Sequence, residues 1–500
     1  MRELLDSSTK RRLEILEQLN RSADWLSSNE LANTNKASLR TINSDVHYLK
    51  ENWFPHLIIE TSKKNGVRLS TPPSSHASVV YNSVIENSEA FQLLEKIFFN
   101  PHTNIEDWED EMFISESSLY RIANQLTSSL THYGLNLQKR PCRVSNQNEI
   151  YVRYFYTTFF SEVYGIHDWP FALDRRKTVI LARDIFVKSG YQVDEVLIMN
   201  LAYVMAVSLE RISQGFYSEI SHPERITKEM RDPFYEFEEQ INSLISVLDL
   251  SLNDKLLDDL INSIYFVKAI IIDHVDIIAL KSKLADFIEL IKVALDLEID
   301  DLSRQNIKNV LTFIYLEHLT YPFDDYMLFN RYEFNGTAIR KNFPSFTKVV
   351  EKGLGTMEAE MAFPWLSTFK NEVIYWVMVK WRRLPTILEN KKEKASMLVL
   401  SDLGEEHANL LAEMIVKNFG TKVKVVAYQE SVIFLEEADP AIFEGYDYYV
   451  TTFFKDIIPE DKIIVVDAIP SDQDWGKIRR AINKINQIDP ALLDYLKKNS

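Results

Sequence analysis

KASLRTINSDVHYLKEN, residues 36–52, carries two patterns at once. Leu39, Ile42, Val46 and Leu49 recur at helical spacing and predict one buried stripe. Ser38, Arg40, Thr41, Asn43, Ser44, His47 and Lys50 fall on the other face. Side chains of these types hydrogen-bond to base edges and phosphates. A solvated surface helix has the same composition, so the flanks decide. Upstream, KRRLEILEQLNR (10–21) spaces Leu13, Leu16 and Leu19 as a second buried stripe, and SSNELANT (27–34) predicts a short helix rich in N-cap residues. Downstream, LIIETSKKNGVRLS (57–70) sets two β-prone runs about Asn65-Gly66, a strong hairpin signal. Three helices with a short second member, then a hairpin, predict a winged helix-turn-helix DNA-binding domain over residues 1–72. Its candidate DNA contacts are Lys36, Ser38, Arg40, Thr41, Asn43 and Ser44 on the third helix. Lys63, Lys64 and Arg68 form the basic wing.

The pattern recurs. After a linker at TPPSSHASVV (71–80), helices are expected at AFQLLEKIFF (90–99), NIEDWEDEMF (104–113) and SESSLYRIANQLTSSLTHYG (115–134). LNLQKRPCRVSNQNEIYVR (135–153) follows as a second wing. Residues 80–153 are thus a second helix-turn-helix candidate, with Ser117, Ser118 and Arg121 as contacts. Its middle helix is strongly acidic and would repel phosphate.

Charge is divided unevenly. The chain of 500 residues carries a formal −17. Residues 1–75 hold 11 Lys and Arg against 9 Asp and Glu, so the acidic mass lies elsewhere. That length calls for several domains. With 12 glycines and abundant Leu and Ile, most of the chain is expected to be helical. No apolar run is free enough of charge to span a bilayer, and the first residues show no signal peptide. The single cysteine, Cys142, excludes an internal disulfide and a Cys-based zinc site. A cytoplasmic protein without membrane attachment is expected.

Residues 154–390 read as amphipathic helices throughout, while MLVLSDLGEEHANLLAEMIVKNFGTKVKVVAY (397–428), YDYYVTTF (446–453) and KIIVVDAI (462–469) alternate strand and helix. The tail is therefore expected to be a small parallel α/β domain. No HExxH, CxxC, GxxxxGK[ST] or GxSxG occurs, and Gly353-Leu354-Gly355 lacks a third glycine. No enzyme active site, cofactor or metal is expected. His318, in FIYLEHLTYPF (313–323), lies in an apolar helical segment before Pro322. It is either structural or a phosphoacceptor.

Two N-terminal helix-turn-helix units, two helical modules and an α/β tail, in this order, resemble the Mga/AtxA family of transcriptional and virulence regulators of Gram-positive bacteria. The resemblance covers nearly the whole chain. It implies phosphotransferase-system regulation domains (PRDs) at 160–282 and 283–390, and a domain similar to enzyme IIB of sugar phosphotransferase systems at 395–500. The full expectation is a mostly α multidomain chain with a parallel-sheet, enzyme-IIB-like tail. Tyr315-Leu316-Glu317-His318-Leu319-Thr320-Tyr321-Pro322 resembles a PRD motif, which makes His318 a candidate for phosphorylation by the phosphocarrier HPr. His222 and His274 are secondary candidates. Val204 and Val379 stand where other PRD histidines would fall, and Ser401 stands where enzyme IIB carries its phosphorylated cysteine. A serine hydroxyl is not an equivalent nucleophile.

The implied function is a DNA-binding activator tuned by the sugar phosphotransferase system. Its expected partners are double-stranded DNA, a second copy held through the PRD and enzyme-IIB-like regions, HPr and RNA polymerase. The rival readings are a phosphotransfer protein and a PRD-type RNA-binding antiterminator.

Overall fold

Asp6 opens the first helix. Its carboxylate accepts the backbone N–H groups of Ser8 and Thr9 at 2.9 and 3.0 Å, filling donors that every helix start leaves unpaired. The computed structural model describes residues 1–22, 25–70, 72, 78–190, 195–220, 223, 226–270, 277–437, 443–454 and 458–485. His222 and His274 lie outside the described residues. By contacts the chain forms two units, Met1–Ile277 with Phe313–Phe334, and Ile278–Thr312 with Asn335–Ser500.

The first unit begins with α1 (Ser7–Arg21), α2 (Ser28–Thr34) and α3 (Leu39–Asn52), then the antiparallel hairpin β1 (Ile58–Ser62) and β2 (Gly66–Ser70). These elements stand in the expected order. Ser62 pairs with Gly66, so the turn is Lys63-Lys64-Asn65. Gly66 has φ +101°, and a Cβ there would lie 2.1 Å from the Leu26 carbonyl oxygen. Leu26 exchanges two backbone hydrogen bonds of 2.8 Å with Val67. Only glycine meets both the conformation and the space. Leu39 departs from the expected stripe: it is 46% exposed, while Ile42, Val46 and Leu49 are buried.

Helices α4 (Ser78–Glu86), α5 (Glu89–Phe99), α6 (Glu109–Met112) and α7 (Glu116–Thr131) come next, followed by the hairpin β3 (Asn136–Lys139) and β4 (Cys142–Ser145). Two expectations change here. The acidic helix of 104–113 is a 3-10 turn, Ile105–Trp108, followed by the single turn of α6. The second wing ends at Ser145, because Glu149 already lies in the long helix α8 (Glu149–Tyr164). Asn148 caps that helix through the Ile150 N–H at 3.0 Å.

α9 (Arg175–Lys188), α10 (Glu195–Ser213), α11 (Lys228–Glu236), α12 (Glu238–Ile245) and α13 (Asp254–Ile270) complete the unit's own helices. Among the described residues α10 is long and apolar enough to cross a membrane by length and composition, which the sequence reading had not expected. Just over half of it (56%) is buried inside the protein, as in a core helix.

α8, α10 and α13 are locked by a buried ionic network. Arg153, 1% exposed, reaches Asp259 at 2.8 Å and Ser263 at 2.6 Å. Arg211 pairs with Glu149 at 2.6 and 3.0 Å and lies over the Phe216 ring. Both carboxylates are paired, Arg211 is held by two bonds, and Arg153 bonds through its terminal nitrogens while its buried Nε has no hydrogen-bond partner; the pairing offsets part of the desolvation.

The second unit holds α14 (Ile277–Ala294), most of α15 (Asp301–Thr320), α16 (Arg331–Asn342), α17 (Pro344–Met361), α18 (Lys370–Lys380) and α19 (Leu384–Lys391). The tail then alternates β5 (Ala395–Leu400), α20 (Glu405–Phe419), β6 (Val423–Ala427), β7 (Tyr448–Thr451), β8 (Ile463–Val465) and α21 (Asp472–Ile485). The sheet is wholly parallel in the order β6-β5-β7-β8. Met397 and Val399 face the core with α20 and α21, while Leu398 and Leu400 face Tyr428, Leu435 and Ile458. Burial on both faces explains the continuous apolar run of β5.

Replacing Asp259 by alanine would leave Arg153 buried without its partner. Urea unfolding of the full chain is expected to show a loss of about 3–5 kcal/mol in the first unit. A double replacement of Arg153 by Met and Asp259 by Leu should cost less.

Candidate nucleic-acid interface

Helix α3 is oriented from beneath. Ile42, Val46 and Leu49 join Ile15, Leu19, Leu31, Ile59 and Val67 in a small core of their own. Asp45, only 2% exposed, accepts from Arg11 at 2.5 Å and Arg12 at 3.0 Å. Arg12 also stacks on the Tyr48 ring, 3.5 Å from its centroid. Two arginines of α1 thus hold α3 by its buried carboxylate. Asp45 was not singled out in the sequence, because a lone carboxylate carries no local sign of burial.

What remains outside is the expected face. Lys36, Ser38, Arg40, Asn43 and Ser44 are exposed, and Thr41 is half-buried. Ser38 is the N-cap: its hydroxyl accepts the Thr41 N–H at 3.1 Å and lies 2.9 Å from the Thr41 hydroxyl. Their first task is therefore helix initiation. Arg40, Lys36, Lys63 and Lys64 make no ion pair among the described residues. Arg68 differs. It pairs across the hairpin with Glu60 at 2.8 Å and lies 4.9 Å from the Trp25 ring, so its charge is already matched.

The second trihelical unit has the same layout and different electrostatics. Ser115 caps α7 through the Ser118 N–H, and its hydroxyl also lies 3.1 Å from that of Ser117. Arg121 is exposed beside Asn124 and Gln125. The wing, however, is folded onto α7. Lys139 donates to Asn124 at 2.6 Å. Arg140 donates to Glu106, with the Nε contact at 2.7 Å, and Glu106 also accepts from the Tyr120 hydroxyl. These bonds to Arg140 and Tyr120 hold the Glu106 carboxyl down at about 2. Cys142 is buried in β4, and burial pushes its thiol up to about 12, so it is not a reactive group.

His318 lies near the end of α15 and is half-buried; burial lowers its pKa, favouring the neutral imidazole. Burial, and secondarily the charge of Asp325, push the neighbouring Glu317 carboxyl up to about 8. At neutral pH the pair is therefore mostly uncharged.

Ser401 follows β5 and is 3% exposed. Its hydroxyl lies 2.8 Å from His407 Nδ1 and accepts the Leu403 N–H at 3.0 Å. His407 Nε2 lies 2.9 Å from the Ala468 carbonyl, which can only accept, so in the neutral ring Nδ1 accepts a hydrogen bond from the Ser401 hydroxyl. Asp402 N–H donates to Thr452 at 3.1 Å. These bonds staple three loops at the C-terminal edge of the sheet. His407 was not singled out in the sequence; its spacing of six from Ser401 was the available signal. Among the described residues no group of three or more His, Cys, Asp or Glu is arranged to hold a metal.

Comparison with known proteins adds a direct line. Residues 73–160 match the Mga helix-turn-helix domain, which is the second trihelical unit and the start of α8. A trans-acting regulator from Streptococcus pneumoniae serotype 4 is 25% identical over 488 residues, 93% of this chain and 95% of that protein. The capsule synthesis positive regulator AcpB of Bacillus anthracis is 23% identical over 42% of this chain and 44% of its own length. The anthrax toxin expression trans-acting positive regulator of Bacillus anthracis is 21% identical over 34% of this chain and 35% of its own. The two Bacillus proteins are thus matched over less than half their lengths.

The Glu317 carboxyl gives a pH test. Its folded value of about 8 lies above the ordinary 4.5. Its neutral form favours the fold below 4.5, and that contribution is lost as pH rises through 8. Thermal unfolding should show Glu317→Gln matching the native chain at pH 5 and exceeding it at pH 8.5, values of about those chosen to bracket the titration.

Proposed function

Because the chain belongs to the Mga/AtxA family of transcriptional regulators, we propose that it binds double-stranded DNA and acts as a positive regulator of transcription. The family and its named relatives are regulators and not enzymes. The observation that carries the reading is the face of α3 with its wing. Arg40, Asn43 and Ser44 are exposed on α3, and Lys36, Lys63 and Lys64 are exposed cations without ion-pair partners among the described residues. In this reading α3 enters the major groove and the wing follows the backbone. Ser38 and Thr41 shape the helix start, and Arg68 contributes less than the two wing lysines. Ser117, Ser118 and Arg121 are the corresponding positions of the second unit.

The acidic remainder is regulatory in this proposal. The helical modules act as PRDs and the tail as an enzyme-IIB-like module, and together they hold two copies in a dimer. Two copies double the number of phosphate contacts, so a modestly basic module suffices. Ser401 is buried and bonded to His407, which favours a structural tail over a phosphotransfer one. His318 is the acceptor for phosphorylated HPr: its burial-favoured neutral ring is the nucleophilic form. A phosphoryl group adds about −2 of charge beside an uncharged Glu317. The protein works in the cytoplasm, where it contacts RNA polymerase at its promoters.

Duplex binding by the full chain across a salt series tests the DNA reading. Arg40→Ala should weaken binding by about 1–3 kcal/mol if it reads a base edge. A Lys63→Ala/Lys64→Ala double variant should lower affinity evenly across sequences and reduce the salt slope by about 2. Unchanged affinity and slope in both would remove α3 and its wing from the interface. Separately, incubation with phosphorylated HPr should label the native chain and not His318→Ala; equal labelling of the two excludes His318 as the acceptor.

A further inference from the structure

The two trihelical units differ in one respect that sequence spacing hides. In the first, the wing-tip cations Lys63 and Lys64 are exposed and make no ion pair among the described residues, while Arg68 is paired with Glu60. In the second, both cations at the wing tip are engaged by the unit itself. Lys139 bonds Asn124 on the exposed face of α7 and lies 5.5 Å from the Tyr120 ring centroid. Arg140, in the turn between β3 and β4, is gripped by Glu106 from the preceding 3-10 turn, and Tyr120 of α7 closes the triangle. Arg140 is 67% exposed and Glu106 27%, so solvent reaches the pair. Glu106 presents to Arg140 what a DNA phosphate would present: a charged oxygen that accepts two guanidinium hydrogen bonds.

We propose that Glu106 is a built-in phosphate mimic that masks a second DNA-binding surface, formed by α7 and the Lys139–Arg140 wing tip. The inference rests on the DNA-binding reading above and goes beyond it by assigning a conditional role to the second unit. An exposed ion pair is weak, so a correctly placed phosphate exchanges with Glu106 and the surface opens on DNA that reaches it. Because Arg140 and Tyr120 hold the Glu106 carboxyl down at about 2, acidification within the physiological range does not open it. Displacement by another anion does. Three acids nearby, Glu109, Asp110 and Glu111, keep this surface unfavourable to DNA in general. The second unit therefore adds to a complex already anchored by the first.

The test is duplex DNA binding by full-length Glu106→Gln across a salt series. The amide keeps the Tyr120 hydrogen bond and gives up the charge. Affinity should rise about threefold at low salt, and the slope of log K against log salt should steepen by about 1, the signature of one added phosphate contact. Asp110→Asn, which removes an exposed charge outside the clasp, should raise affinity less and leave the slope unchanged. In an Arg140→Ala background the Glu106→Gln gain should vanish. The proposal is overturned if Glu106→Gln behaves like Asp110→Asn, or if its gain survives the loss of Arg140. Should Arg40→Ala weaken binding in the same assay while Glu106→Gln changes nothing, the DNA reading stands and only the mask is lost. No duplex binding by the native chain or by Glu106→Gln would remove both.

Discussion

Helix α1 is buried on two sides, and the placement of α3 depends on it. Leu13 and Leu16 belong to the large core of the first unit, which runs from Met1 to Leu328. Ile15 and Leu19 belong to the small core beneath α3. Arg11 and Arg12, on the same helix, grip Asp45 of α3. One helix thereby fixes the first trihelical unit to the body of its unit by apolar packing, and fixes α3 by charge. A buried carboxylate held by two arginines is costly to break and specific in direction. It sets which residues of α3 remain exposed.

Under the proposed reading, the same economy lets an acidic chain present a DNA-binding head. In the first trihelical unit three acids are engaged by the fold: buried Asp45 holds α1, Glu60 pairs with Arg68, and Glu30 completes the capping box of α2. In the second trihelical unit the acid Glu106 is turned toward the wing instead. Two modules with one topology therefore carry opposite surface fields. The Mga helix-turn-helix match falls on the second of them, so topology and electrostatics have to be read separately.

The tail shows the same separation of fold from chemistry. Ser401 occupies the loop beyond the first strand, where parallel sheets gather ligands. Here its hydroxyl is spent on His407 and the Leu403 N–H, and His407 is spent on Ala468. Through His407 of α20 the bonds run from the loop after β5 to the Ala468 carbonyl after β8, which staples the edge. The buried network of Arg153, Asp259, Arg211 and Glu149 plays the corresponding part in the first unit, tying α8 to α10 and α13. The helix that follows the second wing is thus continuous with the helical module's core.

Local pattern was enough to read the elements. Apolar spacing of 3.6 marked α1, α3 and α7, Asn65-Gly66 marked the first hairpin, and continuous apolar runs marked β5 and β7. All of these are interactions between near neighbours in the chain, so the residues themselves record them. The exposure of Leu39, the 3-10 turn at Ile105–Trp108 and the early end of the second wing left no mark in the apolar spacing. Neither did the partners of the site. Asp45 finds Arg11 and Arg12 more than thirty positions away, Glu106 finds Arg140 at a similar distance, and Ser401 is stapled through His407 to Ala468. The sequence by itself determined which side chains could carry charge toward DNA. Only the tertiary structure decided which of those charges were already taken, because an ion pair depends on proximity in space and leaves no periodic mark along the chain.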